Sequence, residues 1–136
     1  PFSVDASGSM VVGGTGFISG SLNVVGDVTA FYSSDERLKD NLNPIHAALD
    51  KLKKIGGYEF DWNDKSEHEG HDIGVIAQEI EKVLPELVVD RDTGYKAVRY
   101  EKIVALLIEA IKDQQKMIDE NKARIDELFY KLNQLL

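Results

Sequence analysis

One short run of polar residues, Ser33-Ser34-Asp35-Glu36-Arg37-Leu38-Lys39, brings hydroxyls, carboxylates, a guanidinium and an amine together. Ser33 followed three positions later by Glu36 matches a capping box, in which the serine oxygen accepts from the helix start and the glutamate reaches back. Asp35 and Glu36 suit the positive end of a helix dipole, and a lysine at Lys39 is ordinarily a solvated charge. On spacing alone, the run predicts the beginning of a helix and not a catalytic site.

Three other stretches invite a functional interpretation, and none has the spacing that its chemistry needs. His68-Glu69-Gly70-His71 lacks the helical His-Glu-x-x-His pattern and has no third metal ligand suggested nearby, so it predicts a polar loop tip. Glu79 and Glu81 flank Ile80 on a predicted helix and point apart, which indicates solvent-facing residues and not a general acid with its base. Gly13-Gly14-Thr15-Gly16 lacks the following Lys-Ser/Thr and helix of a phosphate loop. We expect no metal and no cofactor.

The composition limits the classes of protein to consider. The chain has 136 residues, enough for one ordinary domain, and a formal net charge of -8. An acidic chain argues against nucleic acid and anionic membranes as partners. It has no cysteine, hence no disulfide framework, and no run of 18 apolar residues that would span a membrane. Residues 1–5 do not resemble a signal peptide and begin in the middle of a pattern, which indicates a fragment of something longer.

Residues 1–32 differ sharply from the rest of the chain. They contain two charged residues, Asp5 and Asp27, and six of the eleven glycines. Glycines separate short apolar runs that read as brief strands: Met10-Val11-Val12, Gly16-Phe17-Ile18, Leu22-Asn23-Val24-Val25 and Val28-Thr29. Strands this short need neighbours or other chains to bury a face. The segment therefore predicts the end of an intertwined or β-helical shaft, with a flexible linker as the alternative.

Residues 33–99 read as a small domain of mixed helices and strands. The apolar spacing predicts a helix over 44–55, ended by Gly56-Gly57, and a second helix over 78–83, stopped or redirected by Pro85. The stretch Tyr58–Trp62 alternates apolar and charged residues, as a half-buried strand does. Ile73-Gly74-Val75-Ile76 reads as a buried approach to the second helix. Two further strands, 87–90 and 95–98, flank a turn at 91–94.

Residues 100–136 predict one long helix without proline or glycine. Its apolar positions alternate by four and three, which is the heptad seam of a left-handed coiled coil. The seam consists of Tyr100, Val104, Leu107, Ile111, Gln114, Ile118, Asn121, Ile125, Leu128, Leu132 and Leu135. Buried polar residues such as Gln114 and Asn121 cost stability and fix register or oligomer number. The seam does not separate a dimer from a trimer, and folding back onto its own domain is the alternative.

Several stretches together resemble the intramolecular chaperone auto-processing domains. The resemblance begins with Ser34-Asp35-Glu36-Arg37-Leu38-Lys39 and covers roughly residues 33–120 in order. It continues through Asn43-Pro44-Ile45, Tyr58–Trp62, Gly74–Ile80 with Pro85–Val88, and Val98–Leu107 with Ala110-Ile111. Such domains end endosialidase tailspikes, many phage tail fibres and neck appendages, and a group of membrane-bound transcription factors. The resemblance implies an α+β homotrimer in which a β-rich shaft segment, a chaperone domain and a coiled-coil helix follow one another.

The resemblance also implies a serine–lysine dyad. Ser34 matches the nucleophile and Lys39 its general base, and the reaction is a single self-cleavage by a serine endopeptidase acting in cis. Attack on the preceding carbonyl would cut between Ser33 and Ser34, with a neighbouring bond as the alternative. A serine needs a base to become a nucleophile, and a lysine is a base only when burial or a nearby cation lowers its pKa. We hypothesise that Arg37 assists in this way or holds developing negative charge, and we count Asp35 as a second supporting residue.

From this resemblance we expect a chaperone that trimerises, nucleates the folding of a tail fibre or tailspike, and then releases itself. Its partners would be two further copies and the upstream shaft of the same polypeptide, in a virion precursor assembled in the host cytoplasm. Two alternatives remain open. The first is a structural tip that trimerises and stays attached. The second is the self-cleaving region of a membrane-released transcription factor, against which the absence of basic residues before Ser34 speaks.

Overall fold

The computed structural model describes residues 2–4 and 7–136. It divides the chain into two compact units, Pro1–Asp40 and Asn41–Leu136. Both helices and small two-stranded sheets are present, which confirms the expected α+β class. Within the described part of the chain, no helix has a stretch long and hydrophobic enough to span a bilayer.

The first unit contains one antiparallel hairpin, formed by β1 (Phe2–Val4) and β2 (Met10–Val12). Phe2 pairs with Val12 and Val4 pairs with Met10. Gly8, in the connection, has a φ of +86°, a conformation that glycine adopts without steric cost. β2 was predicted from its apolar run, whereas β1 was not predicted.

The three other strands predicted in the first segment do not form. Residues 13–35 contain no strand, and the only regular element after β2 in this unit is a 3₁₀ helix at Glu36–Leu38. Phe17, Val25 and Phe31 are 90%, 107% and 94% exposed, so these apolar runs have nothing to pack against. A run of two to four residues cannot make a sheet without a neighbouring strand. The prediction is therefore wrong for the single chain.

Three α-helices form in the second unit: α1 (Ala48–Leu52), α2 (Ala77–Glu81) and α3 (Ile103–Leu135). α1 is shorter than the predicted helix because Ala47, its N-cap, is left-handed with a φ of +50°. α2 begins one residue earlier than predicted and ends two residues earlier. Pro85 then starts a 3₁₀ helix, Pro85–Leu87, since proline is tolerated in a first helical turn. A further 3₁₀ helix, Tyr100–Lys102, leads into α3.

Two antiparallel hairpins complete the second unit. β3 (Tyr58–Asp61) pairs with β4 (His71–Gly74), and β5 (Val88–Asp90) pairs with β6 (Lys96–Val98). The β5–β6 hairpin and its turn were predicted; Gly94 closes that turn with a φ of +83° and donates its N–H to the Arg91 carbonyl at 2.9 Å. β4 was missed, because Ile73 was assigned to a buried approach and instead lies exposed in a strand.

A small core joins the three helices of the second unit. Its buried members are Ala48, Ile80, Leu84, Leu87, Leu106 and Ala110. Half-buried aliphatic residues surround it, among them Leu49 and Leu52 on α1 and Ile103 at the start of α3. Leu106 and Ala110 lie one turn apart, so only the beginning of the long helix is held by this core.

The remainder of α3 extends away from that core with its seam uncovered. The predicted helix is confirmed, with 33 residues in α3 after the short 3₁₀ turn. The seam residues Val104, Ile111 and Ile118 are 55%, 63% and 53% exposed, whereas Leu106 is fully buried. The long helix therefore carries two apolar faces, of which its own domain covers one.

We expect Leu106→Ala to destabilise the second unit strongly, because it leaves a cavity among side chains that are fully buried. The free energy of unfolding should fall by about 2–5 kcal/mol. Urea unfolding at one fixed protein concentration measures it, with the exposed Lys116→Ala on the same helix as the control. An equal midpoint for the two variants would contradict this assignment of the core.

Candidate active site at Ser34 and Lys39

A single turn of 3₁₀ helix brings Ser34 and Lys39 together. The turn spans Glu36–Leu38, and its backbone bonds run from Leu38 N to Asp35 O at 3.2 Å and from Lys39 N to Glu36 O at 3.0 Å. The backbone is extended at Asp35 and again at Lys39. Because the tight turn is flanked by extended residues, the side chains of Ser34 and Lys39 lie next to each other.

The amine of Lys39 contacts Ser34 twice. Its Nζ lies 2.8 Å from Ser34 Oγ and 3.0 Å from the Ser34 carbonyl oxygen. An ammonium donates to both oxygens, whereas a neutral amine keeps one lone pair that can accept the hydroxyl proton. This distance lies within the range that a nucleophile and its general base require. Both residues are exposed in the single chain.

Asp35, not Ser33, caps the turn. One carboxylate oxygen, Oδ1, accepts from the backbone N–H of Arg37 at 2.9 Å and from Arg37 Nε at 3.0 Å. The other, Oδ2, accepts from Arg37 Nη2 at 2.7 Å. The predicted capping box between Ser33 and Glu36 is therefore wrong: the helical residues begin at Glu36, two positions later than a cap at Ser33 would place them.

The Asp35–Arg37 pair fixes the charges beside the dyad. The side-chain and backbone hydrogen bonds from Arg37 hold the pKa of the Asp35 carboxyl below its usual value, and the charge of Lys39 lowers it further. Asp35 in turn raises the pKa of the Arg37 guanidinium. Among the described residues, the recorded bonds of this guanidinium all go to Asp35. The structure thus places Arg37 on Asp35 and not on Lys39.

The other stretches singled out from the sequence lie in the second unit. His71, on β4, bonds through Nδ1 to Asp61 Oδ1 at 3.0 Å, while His68 lies over Trp62 with ring centroids 5.0 Å apart. The two histidines therefore have separate neighbours. The indole Nε1 of Trp62 donates to Asp72 Oδ2 at 3.1 Å.

Glu79 is not the solvent-facing residue that the sequence predicts. Its carboxylate accepts from the backbone N–H of Gly56 at 2.8 Å and from the Tyr58 hydroxyl at 2.7 Å. Those two bonds hold the pKa of Glu79 below its usual value. Glu81 faces a different partner, Lys96, whose Nζ lies 2.8 Å away. No sequence signal links residues 56, 58 and 79, because only the folded chain places them together.

Gly56 is required by the same network. A Cβ at this position would lie 2.4 Å from Tyr58 Cζ and from its hydroxyl oxygen. The aromatic ring is held there by Glu79, so any larger residue would displace it. The glycine pair first predicted as a helix stop thus has a packing role at Gly56.

Comparison with known proteins adds to this geometry. Residues 34–89 match the model of a protein family that is described as "Chaperone of endosialidase". The family is named as a family of peptidases. The family segment begins at Ser34, the residue in contact with Lys39, and includes β3, β4 and α2.

The relatives of this chain include phage tail fibre proteins. The long tail fiber protein Gp37 of Enterobacteria phage K3 is 35% identical over an alignment of 104 residues, and this alignment covers 70% of this chain and 8% of that protein. The protein of the same name from Salmonella phage S16 is 38% identical over an alignment of 104 residues, which covers 71% of this chain and 14% of that protein. The chain therefore spans only a small part of the length of the curated relatives it matches.

The Glu79 network should make stability depend on acid pH. Because the folded-state pKa of Glu79 lies below its ordinary value of 4.5, its stabilising effect is present above that value and is lost as the pH falls through the folded-state pKa. We expect Glu79→Gln to lower the melting temperature at pH 7 and much less at pH 3. Thermal scans at both pH values measure this, with the exposed Glu86→Gln as the control. An equal loss for Glu79→Gln at the two pH values would contradict the assignment.

Proposed function

We propose that this chain is the C-terminal intramolecular chaperone of a phage tail fibre, and that it releases itself by cutting at Ser34. The family match and the fibre relatives support the chaperone role. The observation that carries the cleavage is the 2.8 Å contact between Lys39 Nζ and Ser34 Oγ at the first residue of the family segment. The fibre precursor would assemble in the host cytoplasm, and the part before Ser34 would remain in the virion.

The proposed reaction transfers the Ser33 acyl group to Ser34 and then to water. A neutral Lys39 amine accepts the hydroxyl proton while Ser34 Oγ attacks the carbonyl carbon of Ser33. The Ser33–Ser34 C–N bond breaks, and the departing nitrogen takes up the proton. The resulting ester between the Ser33 carbonyl and Ser34 Oγ is hydrolysed by water, which leaves a carboxylate on Ser33 and restores the hydroxyl. The second Lys39 contact, with the Ser34 carbonyl, orients the amine during proton transfer.

We propose that assembly of the chains turns Lys39 into a base. An exposed lysine in water is protonated near neutral pH, and a protonated amine has no lone pair to accept a proton. Removing the amine from water disfavours its charged form. If neighbouring chains cover the turn on assembly, the cut reports that the fibre has assembled. The freed shaft is then trapped kinetically, since it no longer carries the chaperone that guided its folding.

The long helix would supply the association. Its seam is apolar and exposed over many turns, as in a helix that packs against further copies. We propose a parallel homotrimer, in which the polar seam residues Gln114 and Asn121 fix the register. Three chains held in register at one end lower the cost of the non-local pairing that an intertwined shaft requires.

A second function deserves the same test, because the dyad is exposed in the single chain. In that alternative the chain trimerises and remains attached as the structural tip of the fibre. The two functions share the seam and differ only in whether the peptide bond before Ser34 is broken.

Intact mass spectrometry of freshly expressed protein distinguishes them. We expect the wild-type chain to yield fragments of residues 1–33 and 34–136, and both Ser34→Ala and Lys39→Ala to remain whole. The exposed Lys54→Ala serves as the lysine control and should be cut like the wild type. A wild-type protein that assembles yet stays whole would leave the structural tip as the function.

Sedimentation equilibrium tests the association separately from the cleavage. In the Ser34→Ala background, Ile118→Asp places a charge in the seam and should shift the protein from trimer towards monomer by at least tenfold in association constant. Ala123→Asp adds the same charge at an exposed position off the seam and should remain trimeric. Equal sedimentation of the two variants would rule out the seam as the interface.

A further inference from the structure

We propose that Asp35 is the positioning residue of the dyad, and that it acts by capping the turn between Ser34 and Lys39 and not through its ion pair with the Arg37 side chain. The proposal rests on the proposed function, since it explains how the two reacting groups are held together. Asp35 itself contacts neither reacting atom among its recorded bonds.

Asp35 occupies the position in the turn that a capping residue requires. It directly follows the nucleophile, and its backbone carbonyl accepts the first bond of the turn, from Leu38 N. Its carboxylate binds the N–H of Arg37, a donor that the short helix leaves without a backbone partner. Asp35 therefore accepts two hydrogen bonds in this turn, one at its backbone carbonyl and one at its side chain. Without the cap, the turn that brings Ser34 and Lys39 together is held by its two backbone hydrogen bonds alone.

The ion pair between Asp35 and Arg37 is exposed to solvent. The side chain of Arg37 is 88% exposed and that of Asp35 is 42% exposed, so water and salt screen their attraction. A cap bond from a carboxylate to a backbone N–H contributes more to a short helix than an exposed ion pair typically does. The guanidinium binds both carboxylate oxygens, Oδ1 through Nε and Oδ2 through Nη2.

The substitution Asp35→Asn distinguishes the cap bond from the ion pair. Its side-chain oxygen can still accept from the Arg37 N–H, since asparagine caps helices as well as aspartate does, but it cannot form an ion pair. We expect Asp35→Ala to slow self-cleavage about fivefold, the ratio that loss of a typical cap corresponds to. Asp35→Asn and Arg37→Ala should be no more than about twofold slower than the wild type.

Two readouts on the whole 136-residue chain test the proposal. The first is the single-turnover rate of appearance of the 34–136 fragment in wild type, Asp35→Ala, Asp35→Asn and Arg37→Ala. The second does not depend on cleavage. In the Ser34→Ala background, ¹⁵N-arginine labelling gives four backbone amide signals, those of Arg37, Arg91, Arg99 and Arg124, and amide exchange at Arg37 reports the cap directly. Exchange there should accelerate about fivefold in Asp35→Ala and remain unchanged in Asp35→Asn.

Each outcome decides the proposal. A slow Asp35→Ala with rapid Asp35→Asn and Arg37→Ala supports it, provided that all variants sediment alike and exchange equally at Arg99. If Asp35→Asn and Arg37→Ala are as slow as Asp35→Ala, the ion pair positions the dyad and the proposal is overturned. Wild-type rates for all three overturn it as well. Should the wild-type chain stay whole, the proposed function fails, and the exchange at Arg37 still decides whether Asp35 caps the turn.

Discussion

The burial of apolar surface constrains this chain more than any other factor. Among the described residues, six hydrophobic side chains are buried, and they hold together only α1, α2 and the first turns of α3. The large hydrophobic residues at positions 10–38, and the whole seam of the long helix, remain exposed. Exposed apolar surface on this scale indicates an interface. The second unit therefore has a core of its own, while under the proposed function the remaining elements would depend on association for their stability.

The same constraint separates two properties of the candidate active site. Its geometry is local, because a single capped turn places Lys39 against Ser34 within one chain. Its environment is open to solvent, because both Ser34 and Lys39 are exposed among the described residues. Under the proposed function, the chain would carry its cutting groups ready from the start and use them only after assembly.

The features that the sequence could predict are those determined by neighbouring residues. The heptad spacing predicted the helix over 100–136, and a four-residue turn predicted the β5–β6 hairpin. Features that depend on distant residues could not be predicted, such as the hydrogen bonds of Glu79 to Gly56 and Tyr58. For the same reason the sequence did not reveal that the apolar runs within 16–29 form no strand in the single chain. The cap was ambiguous for another reason. Both Ser33 and Asp35 are good cap residues, and the backbone conformation decides between them.

Mixed trimers test most directly whether each chain cuts itself with its own assembled dyad. Wild-type chains and mass-tagged Lys39→Ala chains would be co-expressed, the mixed trimers isolated, and both species weighed. We expect the wild-type chains to be cut and the Lys39→Ala chains to remain whole beside them, because the amine and hydroxyl that react belong to one polypeptide. Cleavage of the Lys39→Ala chains in the same trimers would show that a neighbour supplies the lysine, and would contradict it.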